Sequence, residues 1–201
     1  MSQVQQAILD FWFGDSAASD ADIAQRQGDL WWGKSAAIDA TIGRDFGPLV
    51  EAAARGQLNH WTSTEPGLLA LLLLTDQFRR NLYRDQADAF ALDELARGLT
   101  RQCLRRGGDR RLRPVQRVFV YLPLEHSESL VDQDASVRLF AALVDDVPAD
   151  QQGPFENFLK FAHAHRDVIA RYGRFPHRNT ALGRVSTAAE RVYLADPNAG
   201  F

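Results

Sequence analysis

Residues 68–74 constrain the fold most, because these seven consecutive positions carry no polar side chain. An α-helix that is apolar on every side must be surrounded by other structural elements. Seven residues are too few to cross a bilayer, which takes about 20. We therefore predict that residues 68–78 form the buried central helix of a globular protein.

The rest of the chain shows helical periodicity, and no segment has the strict alternation of a half-buried strand. Ser2, Ser35 and Thr64 can cap helices, and Thr187 with Glu190 has capping-box spacing. The predicted helices include residues 20–32, 88–106 and 114–122, and Gly47-Pro48 is expected to bend or split the helix that follows Ser35.

Eight to ten short helices joined by short turns are expected in this chain. Because no strand is predicted, the fold is expected to be all-α. The short helices and short turns indicate antiparallel helical hairpins, in a compact tetratricopeptide-like stack or an irregular bundle. A search for a repeat of about 34 residues finds no tetratricopeptide pattern. Because no linker or shift in composition divides the chain, residues 1–201 are predicted to be a single helical domain.

Composition and motifs exclude several functional classes. The net charge of −3 argues against nucleic acid as a partner, and the arginines between Arg101 and Arg117 are typical of a solvated helix end and loop. Cys103 is the only cysteine, so no internal disulfide is possible. No signal-peptide pattern is present, which favours a cytoplasmic protein, and the absence of phosphate-binding or dinucleotide-binding glycine motifs predicts no cofactor.

A first polar segment, residues 75–84, directly follows the apolar run. Polar groups that continue a buried helix need partners in the interior. Asp76 lies four residues before Arg80, and Arg80 four before Arg84, so the carboxylate could orient an arginine toward a cavity. A salt-bridged helix end is the alternative interpretation.

A second polar segment contains Glu125, His126, Ser127 and Glu128, after Pro123. Since proline is expected to end the preceding helix, these residues are predicted to lie in a turn or at a new helix N-terminus. A histidine beside carboxylates can serve as a general base or a metal ligand near neutral pH. Simple capping of the next helix by Ser127 or Glu128 is equally compatible with the sequence.

A third polar segment begins at His163 and His165 and ends in a loop with Arg174, His177, Arg178 and Asn179. Residues two apart do not share a helix face, and His165 follows the apolar stripe, so it is the interior candidate. His165 is compatible with two roles, a side chain that binds a ligand and a hydrogen-bonded core residue. The donors of the loop suit an anion.

These segments resemble the bacterial domain-of-unknown-function 924 family, and the similarity extends over nearly the whole chain. Three motifs carry the resemblance: Asp76-Gln-Phe-Arg-Arg80-Asn81, Pro123-Leu-Glu-His126-Ser127-Glu128 and Gly173-Arg-Phe-Pro-His177-Arg-Asn179. The resemblance implies an all-α, tetratricopeptide-like fold and establishes no activity. Arg79 replaces the proline that is usual in the first motif, so the chain is expected to continue helically there and to re-aim Arg80.

Two functions remain open. In the first, the three segments converge and bind a small anion, a carboxylate or a phosphate, with or without catalysis; in the second, the helices form a scaffold for a peptide or protein. A metal site is less favoured, because no HExxH or similar spacing is present. The candidate catalytic residues are His126, Glu128 and His177, and the candidate ligand-binding residues are Arg80, Asn81, Arg84, His165, Arg174, Arg178 and Asn179.

Overall fold

The computed structural model describes residues 1–196 and 199–200. This part of the chain contains eleven α-helices and no β-strand, which confirms the all-α prediction. None of these helices is both long enough and apolar enough to cross a membrane. The helices are α1 Gln3–Phe13, α2 Asp20–Arg26, α3 Gly28–Trp32, α4 Ala36–Ala54, α5 Glu65–Leu72, α6 Phe78–Leu82, α7 Asp93–Arg105, α8 Pro114–Glu125, α9 Leu130–Asp145, α10 Gln152–Tyr172 and α11 Ala188–Leu194.

The predicted central helix is formed by α5, a π-helical turn over Leu73–Gln77, and α6. Every residue from position 68 to position 78 is buried. Helices α1, α7 and α8 pack against α5, while α4 and α7 pack against the π-helical turn. The segment without a polar face is thus enclosed by other helices, as its sequence predicts.

The π-helical turn places polar groups inside the protein. Thr75 and Asp76 are almost fully buried, and the Thr75 hydroxyl donates to the carbonyl of Leu71 at 2.9 Å. Arg79 continues in the helix α6, as expected from the absence of proline at this position. Wide π-type turns are rare and occur often at functional sites.

Two prolines that were predicted to interrupt helices do not do so, and one predicted helix is divided at a position where no break was predicted. Helix α8 continues through Pro123, and α4 continues through Pro48 without a split. Each proline removes one helical hydrogen bond, but the residues around Pro123 are buried, and their packing holds the helix together. The predicted helix over residues 20–32 is instead two helices that meet at Gln27, next to Gly28.

Ser2 begins the chain's first helix with a complete capping box. Its hydroxyl accepts the N–H of Gln5, and the Gln5 side chain accepts the N–H of Ser2. Ser2→Ala is expected to lower the free energy of unfolding by about 1 kcal/mol, and the melting temperature by roughly 2–4 °C. Ser2→Asp keeps a capping oxygen and is the control. Equal melting curves for Ser2→Ala and the unmodified protein would contradict a stabilising cap.

Candidate functional site

Asp76 lies at the centre of a buried polar cluster at the end of the central helix. Its Oδ1 is 2.8 Å from Nδ1 of His126 and 3.2 Å from Nη2 of Arg80, and Gln77 donates to Oδ2. Burial alone would raise the pKa of Asp76, but the fields and hydrogen bonds of His126, Arg80 and Gln77 outweigh it and lower the pKa. The ionised carboxylate accepts the proton on Nδ1 of His126, so Nε2 is the basic atom of the ring.

Arg80 and Arg178 converge on the Asp93 carboxylate. Arg80 donates to Oδ1 at 2.8 Å and Arg178 to Oδ2 at 3.2 Å. Both guanidinium groups also lie over the Phe90 ring, with 5.3 Å and 4.6 Å between the guanidinium carbon and the ring centre. Arg178 donates to the carbonyl of His126 at 2.9 Å, which ties the loop after α10 to the end of α8.

The structure brings together His126, His165 and His177. The ring centres of His126 and His165 are 6.3 Å apart. The Phe175 ring contacts both His165 and His177, with ring centres 5.7 Å and 5.4 Å apart. As predicted, His165 is buried, whereas His163 is exposed. Within the described part of the chain, no three His, Cys, Asp or Glu side chains are arranged to hold a metal ion.

Glu125 is the most unusual carboxyl group of this region. It is 3% exposed, its Oε1 lies 3.1 Å from Nδ1 of His165, and its Oε2 has no hydrogen-bond partner among the described residues. Burial, together with the charge of Asp76, raises the pKa of Glu125 to about 8. The group is therefore protonated and uncharged at neutral pH.

The three histidines are also uncharged at neutral pH. Burial, with the charges of nearby arginines, lowers the pKa of His177 to about 4 and keeps the pKa values of His126 and His165 below the usual 6.5. The residues gathered here are named the Asp76 cluster, and its members are Asp76, Arg80, Asp93, Glu125, His126, His165, His177 and Arg178.

Asn81 and Arg84 are directed away from the Asp76 cluster. Arg84 donates through Nη2 to Oδ1 of Asp39 at 2.9 Å, and Asn81 donates to the same oxygen at 2.8 Å. Burial would raise the pKa of Asp39, but these hydrogen bonds outweigh it and lower the pKa. Asn81 in α6 and Arg84, two residues after its end, are thus both bound to Asp39 of α4.

Glu128 positions the loop that carries His177 and Arg178. It accepts the backbone N–H of Phe175 at 2.8 Å and two hydrogen bonds from Arg184, at 2.8 Å and 2.9 Å. Burial would raise the pKa of Glu128, but the hydrogen bonds from Arg184 and the Phe175 N–H outweigh it and lower the pKa. Both carboxylate oxygens are thus used within the protein.

Arg174 and Asn179 stabilise the same loop from its other side. Arg174 donates to both oxygens of Glu190 at 2.6 Å and 2.8 Å, and Asn179 donates to the Ser186 hydroxyl at 3.0 Å. Of the candidate residues in this segment, only His165, His177 and Arg178 are brought to the cluster around Asp76.

Sequence reasoning missed Asp93 and Phe90 as members or neighbours of the site. Asp93 lies in the first turn of α7, where an acidic residue is expected simply because it interacts with the helix dipole. The available signal was weak: the arginines of the first and third segments needed carboxylate partners, and residues 88–93 lie just after the first segment.

Comparisons with known proteins identify the same family that the sequence resembles. A family model described as "Bacterial protein of unknown function (DUF924)" matches residues 8–198. A solved structure from Agrobacterium tumefaciens, a protein of unknown function designated ATU0120, is 36% identical, with 95% of this chain and 96% of that chain covered and a TM-score of 0.80. The search of curated proteins gives no match. The chain therefore belongs to the DUF924 family of bacterial proteins.

Proposed function

We propose that the Asp76 cluster binds a small anion, a carboxylate or a phosphate, between Arg80 and Arg178. The observation that carries the proposal is an unsatisfied hydrogen-bond donor on each of the two guanidinium groups. In both arginines the Nε atom is buried and has no hydrogen-bond acceptor among the described residues. An unsatisfied buried donor costs about 1–3 kcal/mol, and more on a charged group, so an added acceptor would be favoured there.

The electrostatics of the arginine pair support the same proposal. Burial and the charge of Arg80 lower the pKa of Arg178 to about 10, although Asp93 and Glu128 act in the opposite direction. The nearby carboxylates therefore do not fully offset the burial of the Arg178 guanidinium and its repulsion by Arg80. A forked guanidinium also matches the two oxygens of a carboxylate or phosphate, which a lysine cannot do.

The proposed ligand is small. Two surface cavities lie elsewhere, one lined by residues that include Cys103 and one lined by residues that include Phe13 and Arg113. The side chain of Asp93, which is 20% exposed, already shows how a carboxylate sits against both arginines. A dissolved carboxylate of a few atoms would make the same bonds next to Asp93 or in its place.

The alternative, a peptide-binding scaffold, predicts arginines and aromatic rings spread along a concave face. Instead, Arg80, Arg178 and Phe90 are gathered at one point, with guanidinium-to-ring distances of 5.3 Å and 4.6 Å. This concentration of charge favours a small ligand over an extended peptide.

A thermal-shift titration tests the proposal. Acetate, phosphate and sulfate are added at low ionic strength, and a ligand at ten times its Kd is expected to raise the melting temperature by roughly 3–6 °C. Arg178→Lys keeps the charge but loses the fork, so its Kd should rise at least about tenfold. Arg44→Gln, at an exposed arginine, is the matched control and should bind like the unmodified protein.

No stabilisation by any of the three anions would overturn the anion-binding proposal and favour the scaffold. Equal stabilisation of the unmodified protein and Arg178→Lys would place the bound anion elsewhere. Because buried arginine variants can lose stability, NMR titrations of the same proteins provide a second measurement of Kd.

A further inference from the structure

Charge balance in the Asp76 cluster has a consequence for any anion that enters it. Arg80 and Arg178 are balanced by Asp76 and Asp93, with contacts of 2.8–3.2 Å, while Glu125 and the three histidines are uncharged at neutral pH. The cluster is therefore neutral before a ligand binds. A single anion would leave one uncompensated negative charge in a largely buried region, which is unfavourable.

We propose that His126 takes up one proton on Nε2 when an anion binds to Arg80 and Arg178, so that the site binds a small acid as its anion plus a proton. This inference rests on the anion site proposed above. Proton and charge balance are complete: the imidazole becomes an imidazolium, the ligand remains an anion, and the cluster stays neutral.

The contacts of His126 explain why this ring is the acceptor. Asp76 lies 2.8 Å from Nδ1 and stabilises the positive imidazolium, as carboxylates do in Asp-His pairs. Its Nε2 makes no hydrogen bond to a described residue, and the side chain is 16% exposed, so solvent protons can reach the ring. Arg178 binds the carbonyl of the same residue at 2.9 Å, which keeps a bound anion near the ring.

His165 and His177 are less suitable than His126 as the acceptor of this proton. His165 contacts Glu125, which is protonated and provides no negative charge, and the positive charges of Arg178 and Arg80 oppose protonation of His177.

The titratable and charged groups that face His126 from the packed elements are Asp76, Arg80, Asp93, Glu125, His165, His177 and Arg178.

The proton makes anion affinity depend on pH. The pKa of His126 in the free protein is below 6.5, because of burial and Arg80, whereas a bound anion raises it. Between these two pKa values, binding takes up one proton, so the Kd rises about tenfold for each pH unit. Acetate is a suitable probe, because it stays ionised throughout this range.

The experiment measures the Kd for acetate at pH 6.5 and pH 7.5, below the pKa of Glu125 at about 8. We expect the Kd to increase, by up to about tenfold, in the unmodified protein and in His163→Gln, an exposed control on α10. His126→Gln can still donate to Asp76, so it should fold, but its Kd should be nearly independent of pH. In the unmodified protein, the ¹⁵N signal of His126 Nε2 should move to its protonated position as acetate is added.

Each contrary result has a distinct meaning. A constant Kd in the unmodified protein overturns the proton uptake and leaves the anion site intact. A pH dependence that persists in His126→Gln assigns the proton to another group and overturns the role of His126. Absence of acetate binding overturns the anion site and this inference with it.

Discussion

Replacing Asp76 with alanine is expected to lower the free energy of unfolding by about 3–5 kcal/mol at pH 7, the range for breaking a buried ion pair by removing one partner. The carboxylate accepts from His126, Arg80 and Gln77, all within the protein interior or at its edge. Its loss leaves these donors short of an acceptor, although Arg80 keeps Asp93. Urea unfolding measures the effect.

The same substitution has a defined pH dependence. The pKa of Asp76 is lowered in the folded protein, so its contribution is present above the unfolded-state pKa of about 3.9 and is lost as the pH falls below it. The stability difference between the unmodified protein and Asp76→Ala should therefore narrow below pH 4. Asp76→Asn keeps one acceptor oxygen and should lose less stability than the alanine variant.

A loss below 1 kcal/mol for Asp76→Ala would contradict the central position of this carboxylate. A difference that stays constant from pH 7 to pH 3 would show that Asp76 is not selectively ionised in the folded protein.

The fold was largely predictable because the apolar run of residues 68–74 admits few environments. A helix without a polar face requires neighbours on every side, and helical periodicity in the rest of the chain supplies them. The end of α8 was wrongly predicted for a physical reason. Pro123 removes one backbone hydrogen bond, but the buried side chains of Leu122 and Leu124 hold the helix beyond it.

The candidate site was only partly predictable. The sequence identified Arg80, His126 and Arg178, because polar groups next to buried segments need partners. It could not separate Arg80 from Arg84, since both belong to the same polar segment. The distinction depends on Asp39, which lies 45 positions before Arg84 in the chain and meets it only through the packing of α4 on α6.

Glu125 leads to the second large effect, because its protonation couples folding to pH. Its pKa is about 8 in the folded protein and near the ordinary 4.5 when unfolded. Between these values the folded protein holds one more proton, so stability falls by about 1.4 kcal/mol per pH unit as the pH rises. Above about pH 8, this contribution becomes constant.

Glu125→Gln removes the titrating proton and keeps the size and the oxygen that faces His165 at 3.1 Å in the present protein. The variant should therefore be more stable than the unmodified protein at neutral pH, and its advantage should grow from pH 5 to pH 8 to on the order of 4 kcal/mol. Urea unfolding at several pH values measures the difference. Glu156→Gln, at an exposed position of α10, is the control and should change stability by less than about 0.5 kcal/mol. If Glu125→Gln gains nothing between pH 5 and pH 8, Glu125 is ionised in the folded protein, and the cluster would carry a negative charge before any anion binds.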